Sequence, residues 1–489
     1  SKKVPSARME ILSAFTIKTA SPIGITSITA LLNFLLNHAL KFKYDLCIGC
    51  SHCTGECPTS AIHVEDGHPV LDPNRCVDCG RCYAACPMNA IYIEQDDFQT
   101  VYDYKCPVLL VPSIFLAQFE EKIRERTILS ALLHIGFKYI YEVEKSVDFI
   151  KEYIRRDMES GSIPYEKPVI SSFCPAIVRL IQVKFPVLVD NIYLVKAPFD
   201  ITAAYIRKSL TEQGVPEDDI GIFYVTPCAA KIAAIKSPVG EEKSPVSGVI
   251  NMNYLYSKVL RVIKTGEYKM CDESVRFHRL SKASITYPLT GGETKMLRTG
   301  RNLAIDDIHN VSEFLEKVED EDIQDIDFLE LRACDGSCCG GILTAENRFL
   351  MIERQRKRMS KCSEEVDSED NDLLNYFDYL ADKRHVGEVE PRSMDKMDDN
   401  VAAAMQKMKR AFEINQNLPQ VDCHLCGYPS CKALADAVVT DRAQVQQCIF
   451  VQRAMEHYDL MTPKEARDIS AKVWGAKKTD PSIARNLNL

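Results

Sequence analysis

The 489-residue sequence has no apolar run long enough to cross a membrane. Its most apolar early stretch, from Ile25 to Leu40, is shorter than the roughly 20 residues that a spanning helix needs, and it contains Asn33, Asn37 and His38. The first residues also lack the charged region, apolar run and small-residue cleavage site of a secretory signal. We therefore expect a cytoplasmic chain without a membrane span, in which the early stretch is an amphipathic packing helix.

A basic stripe that could neutralise nucleic-acid phosphates is missing as well. The net charge is -9, from 60 Lys and Arg against 69 Asp and Glu spread along the chain. Nucleic acid is therefore not an expected partner. Hydrophobic residues make up 46% and charged residues 26% of the chain, which is typical of a soluble globular protein.

Cysteine, by contrast, is abundant. Twenty cysteines in a chain expected to stay in a reducing compartment favour metal ligation over disulfides. The length predicts roughly three to four globular domains. The predicted segments are an N-terminal helical lead-in at 1–42, a two-cluster iron-sulfur domain at 43–98, a large α/β domain at 99–362, an acidic connector at 363–400, a C-terminal iron-sulfur domain at 401–460 and a polar tail at 461–489.

The large domain is predicted from apolar strand-like runs that alternate with amphipathic helical patterns between Cys106 and Cys362. This alternation indicates parallel sheets flanked by helices. The connector contains the acidic segment SEEVDSEDND and few apolar runs. A solvated connector with short helical pieces and a polar surface helix are both compatible with that composition.

Two cysteine groups share the spacing C-x2-C-x2-C-x3-C-P. They are Cys47, Cys50, Cys53 and Cys57 before Pro58, and Cys76, Cys79, Cys82 and Cys86 before Pro87. Three closely spaced thiolates grip one face of a 4Fe-4S cubane, while the fourth ligates the other cubane. Cys57 should thus serve the second cluster and Cys86 the first. Structural zinc is the alternative, but zinc sites pair two cysteines with two more after a longer gap.

A further group comprises Cys423, Cys426, Cys431 and Cys448, with a Gly-Tyr-Pro turn between the second and third cysteines. Four cysteines around one turn and one helix suit a third cubane, although the spacing by itself also fits zinc. The segment resembles the small four-iron-four-sulfur domain of several redox proteins. That resemblance favours the cubane.

Four cysteines of the large domain come after strand-like runs. Cys174 ends PVISSFC, Cys228 ends GIFYVTPC and Cys334 ends FLELRAC, with Cys338 four residues later. In a parallel sheet the carboxyl ends of the strands form one crevice, where four thiolates could hold a metal cluster. Any one of these cysteines is also explained as a small buried hydrophobe, so spacing leaves both interpretations open. The remaining cysteines of this domain, Cys106, Cys271 and Cys362, lack partners at ligand spacing and are interpreted as structural.

The order of these motifs resembles the iron-only (FeFe) hydrogenase family over roughly Cys47 to Phe349. Ser171-Ser172-Phe173-Cys174-Pro175 stands where that family has Thr-Ser-Cys-Cys-Pro. Thr226-Pro227-Cys228-Ala229-Ala230-Lys231 stands where it has Met-Pro-Cys-x-x-Lys, and the third motif is matched by Glu330, Cys334, Cys338, Gly340 and Gly341. The resemblance implies an α/β H-cluster domain of parallel sheets flanked by helices, preceded by a small ferredoxin-like α+β domain and followed by a small helical C-terminal 4Fe-4S domain.

Carried over by position, the resemblance implies that Cys174, Cys228, Cys334 and Cys338 hold the cubane of an H-cluster. Cys338 would bridge to a two-iron unit that carries CO, CN and a bridging dithiolate. Lys231 would donate a charge-assisted hydrogen bond to a cyanide ligand, and Glu330 belongs to the catalytic motif. Pro112 and Ser113 resemble the loop over the two-iron unit, with an ordinary turn as the alternative. Cys339 is interpreted as a spare neighbour of Cys338, and three further 4Fe-4S clusters complete the cofactor set.

Several residues depart from the family pattern around the same pocket. Phe173 replaces the cysteine that relays protons, and its ring can neither bind nor release one. Thr226 and Arg332 replace methionines, and Ala197 replaces a serine. Such changes alter potential and proton access without changing metal ligation. The nearby acidic residues Glu142, Glu144 and Asp148 are interpreted as solvated helix-face charges rather than as another proton route.

These observations favour an FeFe hydrogenase of low activity that reversibly oxidises dihydrogen and acts as a hydrogen sensor. It resembles the sensory subgroup that has an extra C-terminal cluster domain. Alternatives are a high-turnover ferredoxin hydrogenase with another proton path, and an electron-transfer iron-sulfur scaffold without the two-iron unit. The implied partners are dihydrogen, protons, a ferredoxin-like or other redox protein, a signalling protein, hydrogenase maturation enzymes and a second copy of the chain in a homodimer.

Overall fold

The computed structural model describes residues 37–160, 167–239, 243–272, 277, 279–297, 300–366, 371–392, 397–398, 400–480 and 482. All elements given below belong to the compact unit that begins at Asn37. The predicted N-terminal lead-in lies outside the described residues as far as Leu36, and so do short parts of the predicted connector and tail.

The first part of the described chain is a ferredoxin-like α+β unit built on a doubled pattern. Strand β1 (Leu40–Phe42) pairs antiparallel with β4 (Ile91–Ile93), and β2 (Ile62–Glu65) pairs antiparallel with β3 (His68–Leu71). Two short helices, α1 (His52–Gly55) and α2 (Arg81–Ala85), lie within the two cysteine groups. The apolar pairs that follow the groups are buried and pack this unit; they are Ala61, Ile62, Ala90 and Ile91.

Two four-stranded parallel sheets form the large domain, with the strand orders β10-β9-β5-β6 and β11-β12-β7-β8. The strands of the first sheet are β5 (Cys106–Val111), β6 (Tyr139–Glu142), β9 (Ile220–Thr226) and β10 (Gly248–Asn251). Those of the second are β7 (Val169–Ser171), β8 (Ile192–Tyr193), β11 (Asn302–Ile305) and β12 (Phe328–Leu331). Strands β5, β9 and β12 are buried at every position, as in parallel sheets covered on both faces. The predicted fold class is confirmed.

Helices flank both sheets. In chain order they are α3 (Ile114–Ala117), α4 (Glu125–Ile135), α5 (Val147–Ser160), α6 (Pro175–Lys184), α7 (Pro198–Glu212), α8 (Ala229–Lys236), α9 (Met252–Thr265), α10 (Lys282–Thr286), α11 (Gly292–Met296), α12 (Ile308–Glu319) and α13 (Arg348–Met359). Helix α4 illustrates the local cause, because its buried Ile128, Leu132 and Ile135 recur at helical spacing. Gly136, at a φ of 123°, ends that helix.

The acidic connector is less solvated than its composition suggests. It contains a 3-10 turn at Asp372–Tyr376 and helix α14 (Phe377–Lys383). Leu373 and Leu380 are fully buried in the hydrophobic core, and Asp372 pairs with the buried Lys145. Because these leucines stand among charged residues in the sequence, composition alone hides their contacts.

The C-terminal region is helical, with α15 (Val401–Asn417), α16 (Cys431–Val439) and α17 (Ile449–His457). The predicted polar tail contains one more helix, α18 (Pro463–Trp474), in which Ala466 and Val473 are buried. This helix begins with a capping box between Thr462 and Glu465, and Pro463 occupies its first position. The sequence T-P-K-E is therefore a helix signal that the composition-based interpretation overlooked.

Among the helices formed by the described residues, none combines the length and the apolar composition needed to cross a bilayer.

Candidate metal centres

The doubled cysteine motif folds into two groups that exchange their fourth members. Burial raises the pKa of the Cys53 thiol to about 11, and the nearby charges of Cys47, Cys50 and Cys86 act in the same direction. Cys86 therefore lies with the first three cysteines rather than with those of its own motif. This arrangement places four thiols where one cubane would bind.

The second group is arranged in the same way around Cys57. A cavity is lined by Cys57, Cys76, Cys79 and Cys82. Burial raises the pKa of the Cys79 thiol to about 12, and the charge of Cys57 is the next largest cause. The backbone repeats the symmetry, because Ala61 N–H donates to Cys57 Sγ over 3.2 Å and Ala90 N–H donates to Cys86 Sγ over 3.3 Å.

Glycine is required at one position of the second loop. Gly80 caps the N-terminus of α2 with a φ of 79°, in the left-handed region that favours glycine. A Cβ atom there would lie 2.2 Å from the side chain of Ile342. The close approach thus joins the cluster loop to the large domain.

The exchange of fourth cysteines predicts that the iron lost in a double variant depends on which two cysteines are replaced. The double variant Cys47→Ala/Cys86→Ala should lose about four iron atoms per chain, since both residues would serve one cubane. Cys47→Ala/Cys57→Ala should lose about eight, since it would damage both cubanes. Iron analysis and electron paramagnetic resonance of anaerobic protein measure the difference, with Cys106→Ala as the control. Equal losses in the two double variants would contradict the exchange.

The C-terminal cysteines surround a third cavity, which is lined by Cys423, Cys426, Cys431 and Cys448. Burial raises the pKa of Cys426 to about 11, and the charges of Cys448 and Cys423 add to this effect. Cys431 begins helix α16, where its N–H donates to Asp422 Oδ1 over 2.6 Å. Tyr428 stacks on His63 of the ferredoxin-like unit, with the ring centroids 5.4 Å apart.

The four cysteines of the large domain converge from both sheets. Cys174 follows β7 and Cys334 follows β12 in the second sheet, whereas Cys228 follows β9 in the first. Cys338 lies in a 3-10 turn at Ser337–Gly340. The expected crevice at the edge of one sheet is therefore a junction between two sheets.

Mutual electrostatic effects show how close these thiols are. Burial raises the pKa of Cys228 to about 11, and the charges of Cys174 and Cys338 contribute to the increase. Burial also raises the pKa of Cys334 well above its ordinary value, with contributions from the charges of the other three cysteines. Two of the thiols stand at helix starts, because Cys174 and Cys228 occupy the N-cap positions of α6 and α8.

A buried pocket adjoins this cysteine group. Its lining includes Pro112, Glu144, Phe173, Tyr224, Lys231 and Cys338. Lys231 Nζ donates to Tyr224 Oη over 3.3 Å. Burial favours the neutral amine, but the charges of Tyr224, Cys338 and Cys228 outweigh it and raise the pKa of Lys231. A positive ammonium is thus held inside a nearly closed pocket.

Phe173 is packed between charged and aromatic groups. Its ring centroid lies 4.6 Å from Lys231 Nζ and 3.9 Å from Arg332 Cζ, distances at which cation-π attraction operates. The ring of Tyr287 meets it edge-on at 4.9 Å. Phe173 therefore organises two cations as well as filling space.

Arg332 belongs to a buried polar network. Its Nη2 lies 2.8 Å from Glu293 Oε2 and 3.3 Å from Glu330 Oε1. Ser171 and Tyr287 hydroxyls donate to the Glu293 carboxylate. Glu330 accepts three backbone N–H bonds, from Gly291, Glu293 and Thr294, so its contacts in the described structure position the segment around α11.

The structure corrects the prediction that the acidic residues just before α5 and in its first turn are solvated. Glu142 and Glu144 are 0% and 3% exposed, and Asp148 is partly buried. Glu142 accepts two hydrogen bonds from the Arg358 guanidinium, over 2.6 and 2.9 Å. Asp148 accepts one from Ser281 Oγ over 2.6 Å. A short acidic stretch looks solvated in sequence, but the end of β6 and the turn after it direct these carboxylates inward.

Glu144, which the sequence analysis named but interpreted as solvated, lines the pocket itself. Its Oε2 accepts a hydrogen bond from the Ser113 N–H over 2.8 Å, and Ser113 Oγ accepts one from Gln355 Nε2 over 2.7 Å. Burial, reinforced by the charge of Glu142, raises the pKa of Glu144 to about 7. A group with this pKa can take up or release a proton near neutral pH.

The other departures lie around the same region. Thr226 Oγ1 accepts from Cys228 N–H over 3.3 Å and donates to Cys228 O over 3.0 Å, so it supports the cysteine loop. Ala197 caps α7 and lines a second small cavity next to Phe173. Cys339 is fully buried in the hydrophobic core.

Three family models match the sequence. The model described as iron only hydrogenase large subunit, C-terminal domain, matches residues 107–303. A 4Fe-4S dicluster domain matches 39–87 and 68–107, and a model of an iron-sulfur cluster domain matches 418–450. The hydrogenase match includes Cys174, Cys228 and Lys231 and ends before Cys334 and Cys338. No curated protein matches the chain.

Solved structures of FeFe-hydrogenase HydA1 from Chlamydomonas reinhardtii are similar to part of the chain. A variant of that protein is 13% identical, with a TM-score of 0.43, and the match covers 59% of this chain and 94% of the other. An apo form of another variant is 12% identical over the same shares, with a TM-score of 0.45.

Proposed function

We propose that this chain, which belongs to the iron-only hydrogenase family, binds an H-cluster, slowly and reversibly oxidises dihydrogen, and acts as a hydrogen sensor. One observation carries the proposal. Cys174, Cys228, Cys334 and Cys338 converge beside a buried pocket that also contains the ammonium of Lys231 and the ring of Phe173.

The donor set fits the implied group. The four thiols suit a cubane, and Cys338 lines the adjoining pocket, as a bridging ligand would. Lys231 offers a buried, positively charged donor for an anionic ligand. Pro112 lines the same pocket, and Ser113 holds Glu144 at its wall. When bound, an H-cluster supplies an open iron site at which dihydrogen is split into protons and electrons.

Phe173 supports slow turnover and therefore sensing. Turnover of dihydrogen moves protons as well as electrons, and a phenyl ring can neither accept nor donate a proton. The ring stands where the resemblance implies the relay cysteine, and it is 6% exposed. A protein that binds dihydrogen but exchanges protons slowly is suited to reporting the gas rather than to bulk flux.

The geometry also favours a second candidate, an active hydrogenase that uses another proton path. Glu144 lines the pocket with a pKa of about 7. The next acidic residue, Glu142, pairs with Arg358. Arg358 and Gln355 in turn line a cavity of about 900 Å³. A proton could enter through this cavity and reach Glu144 without passing Phe173.

A scaffold that transfers electrons but lacks the two-iron unit is the third candidate. Such a protein would need the cubane thiols but no cationic pocket beside Cys338. The buried ammonium of Lys231 has a desolvation cost that a pure electron carrier would have no reason to bear. This observation speaks against the scaffold.

The remaining roles follow from the same hypothesis. The two ferredoxin-like sites and the C-terminal site would hold three 4Fe-4S clusters that carry electrons to a ferredoxin-like or other redox partner. Maturation enzymes would install the two-iron unit in the cytoplasm. A signalling partner would read the state of the sensor, and two copies would form a homodimer.

Infrared spectroscopy of anaerobic protein, matured with the two-iron cofactor, tests the proposal. Carbonyl and cyanide stretches that shift under dihydrogen are expected. Cubane signals without these stretches would instead support the electron-transfer scaffold.

Substitution of Phe173 distinguishes the sensor hypothesis from the active-hydrogenase hypothesis. If the missing relay limits the rate, Phe173→Cys should raise hydrogen production by about 100-fold, the lower range for a positioned proton donor. Phe173→Leu is the matched control, since it removes the ring without adding a thiol. Rapid production by the unchanged protein, with no gain in Phe173→Cys, would exclude the sensor hypothesis.

A further inference from the structure

Two donor groups of Arg332 have no acceptor among the described residues. Its side chain is buried, with 1% of the residue exposed. Nη2 makes the contacts to Glu293, to Glu330 and to the carbonyl of Tyr287. Nε and Nη1, however, have no hydrogen-bond partner within the described part of the chain. Buried donors without an acceptor cost about 1–3 kcal/mol each and call for an explanation.

The position of the guanidinium suggests the missing acceptor. Arg332 and Lys231 both lie over the ring of Phe173, which lines the pocket beside Cys338. Lys231 lines this pocket, and so does Tyr287, whose carbonyl accepts a hydrogen bond from Arg332 Nη2. Two cations are therefore packed against one aromatic ring at the wall of the pocket that Cys338 lines.

We infer that Arg332 is a second cationic anchor, beside Lys231, for the anionic ligands of the two-iron unit, and that Phe173 positions both cations. The inference rests on the proposed function. It explains why the arginine occurs together with phenylalanine, since a cysteine at position 173 would leave the guanidinium without the aromatic face on which it packs.

The added charge has an electrostatic consequence. A positive group close to the two-iron unit stabilises its more negative, more reduced form, because Coulomb attraction is weakly screened in a buried site. The midpoint potential should therefore be higher than it is without Arg332. A sensor with this arrangement responds at a less reducing potential than the same pocket with methionine.

Variants must avoid leaving Glu293 as an uncompensated buried carboxylate, which would destabilise the protein. We therefore pair Arg332→Met with Glu293→Gln, so that one positive and one negative charge are removed together. Arg332→Lys keeps the charge but lacks the planar donors Nε and Nη1. Arg348→Met is the control, because Arg348 is half exposed and pairs with Asp335 at the surface.

Infrared-monitored redox titration of the matured variants tests the inference, and cubane absorbance verifies folding. Compared with Glu293→Gln alone, from which it differs only by the arginine, the double variant should shift the cyanide stretches and lower the midpoint potential. Arg332→Lys should shift the stretches with a smaller change in potential. Arg348→Met should change neither. Cyanide bands that form normally and stay unshifted in both Arg332 variants would overturn this inference alone. Absence of the bands from the unchanged protein would overturn the proposed function and, with it, the inference.

Discussion

Cys338→Ala should reduce the carbonyl and cyanide bands of the matured protein by more than about 100-fold, beyond the usual cost of losing a residue that merely supports a metal ligand. Cys338 lines the pocket and contributes to the raised pKa of Cys228 and Cys334. In the proposed function it would join a cubane to a two-iron unit. Infrared spectra recorded after identical maturation measure the loss.

Cys339→Ala is a matched control for that experiment. Cys339 is the next residue, but its side chain is buried in the core around β5 and α13. This variant should lose a little stability through the smaller side chain and should keep full band intensity. If Cys339→Ala loses the bands and Cys338→Ala keeps them, the bridging role belongs to Cys339.

If protons travel through Glu144, as in the second candidate function, Glu144→Gln should slow the exchange of dihydrogen with solvent protons by about 100-fold or more, the range for a general acid or base. The variant keeps the size of the side chain and an oxygen that can accept the Ser113 N–H bond, but it cannot carry the proton. In the unchanged protein, dihydrogen oxidation should increase as pH rises through about 7, since the carboxylate is the proton acceptor. Isotope exchange measured against pH should show this increase and its loss in the variant.

Asp148→Asn provides the control for Glu144. Asp148 is a partly buried carboxylate, but it accepts a hydrogen bond from Ser281 and does not line the pocket. Its variant should keep the pH profile of the unchanged protein. A slow Asp148→Asn with a normal Glu144→Gln would show that protons take a different route.

Titration of Glu144 also affects the free energy of unfolding. Because burial raises the pKa of Glu144 from 4.5 to about 7, the folded protein holds a proton between these values that the unfolded chain has released. Stability should therefore fall as pH rises from about 4.5 to about 7 and stay lower above it. Glu144→Gln lacks this penalty, so denaturant unfolding at pH 8 should show a gain on the order of 3 kcal/mol that disappears at pH 4.

The grouping of the cysteines within each doubled motif was predictable from sequence because their geometry is local. In C-x2-C-x2-C, a few residues bring three thiols to one side of a loop, whatever the rest of the chain does. The parallel strands were also predictable, since β5 and β9 are continuous apolar runs. Helix α18 could have been predicted from its capping box, and the polar composition around it concealed that signal.

Burial of the acidic residues could not be predicted in this way. Glu142 and Glu144 stand two apart in YEVEKS, a pattern that suits a solvated surface equally well. Their inward position depends on Arg358, more than 200 residues later, and on the Ser113 N–H. Leu373 and Leu380 follow the same rule, because their partners in the core are distant in sequence.

The sequence by itself determined the number and spacing of the thiols, the alternation of strands and helices, and the phenylalanine directly before Cys174. The tertiary structure decided that Cys228 comes from one sheet and Cys174 and Cys334 from the other, that Cys86 joins Cys47, and that Arg332 lies over Phe173. The physical reason is the distance along the chain over which each effect acts. Ligand spacing and hydrophobic periodicity act within a few residues, whereas burial, charge pairing and pKa depend on segments that only folding brings together.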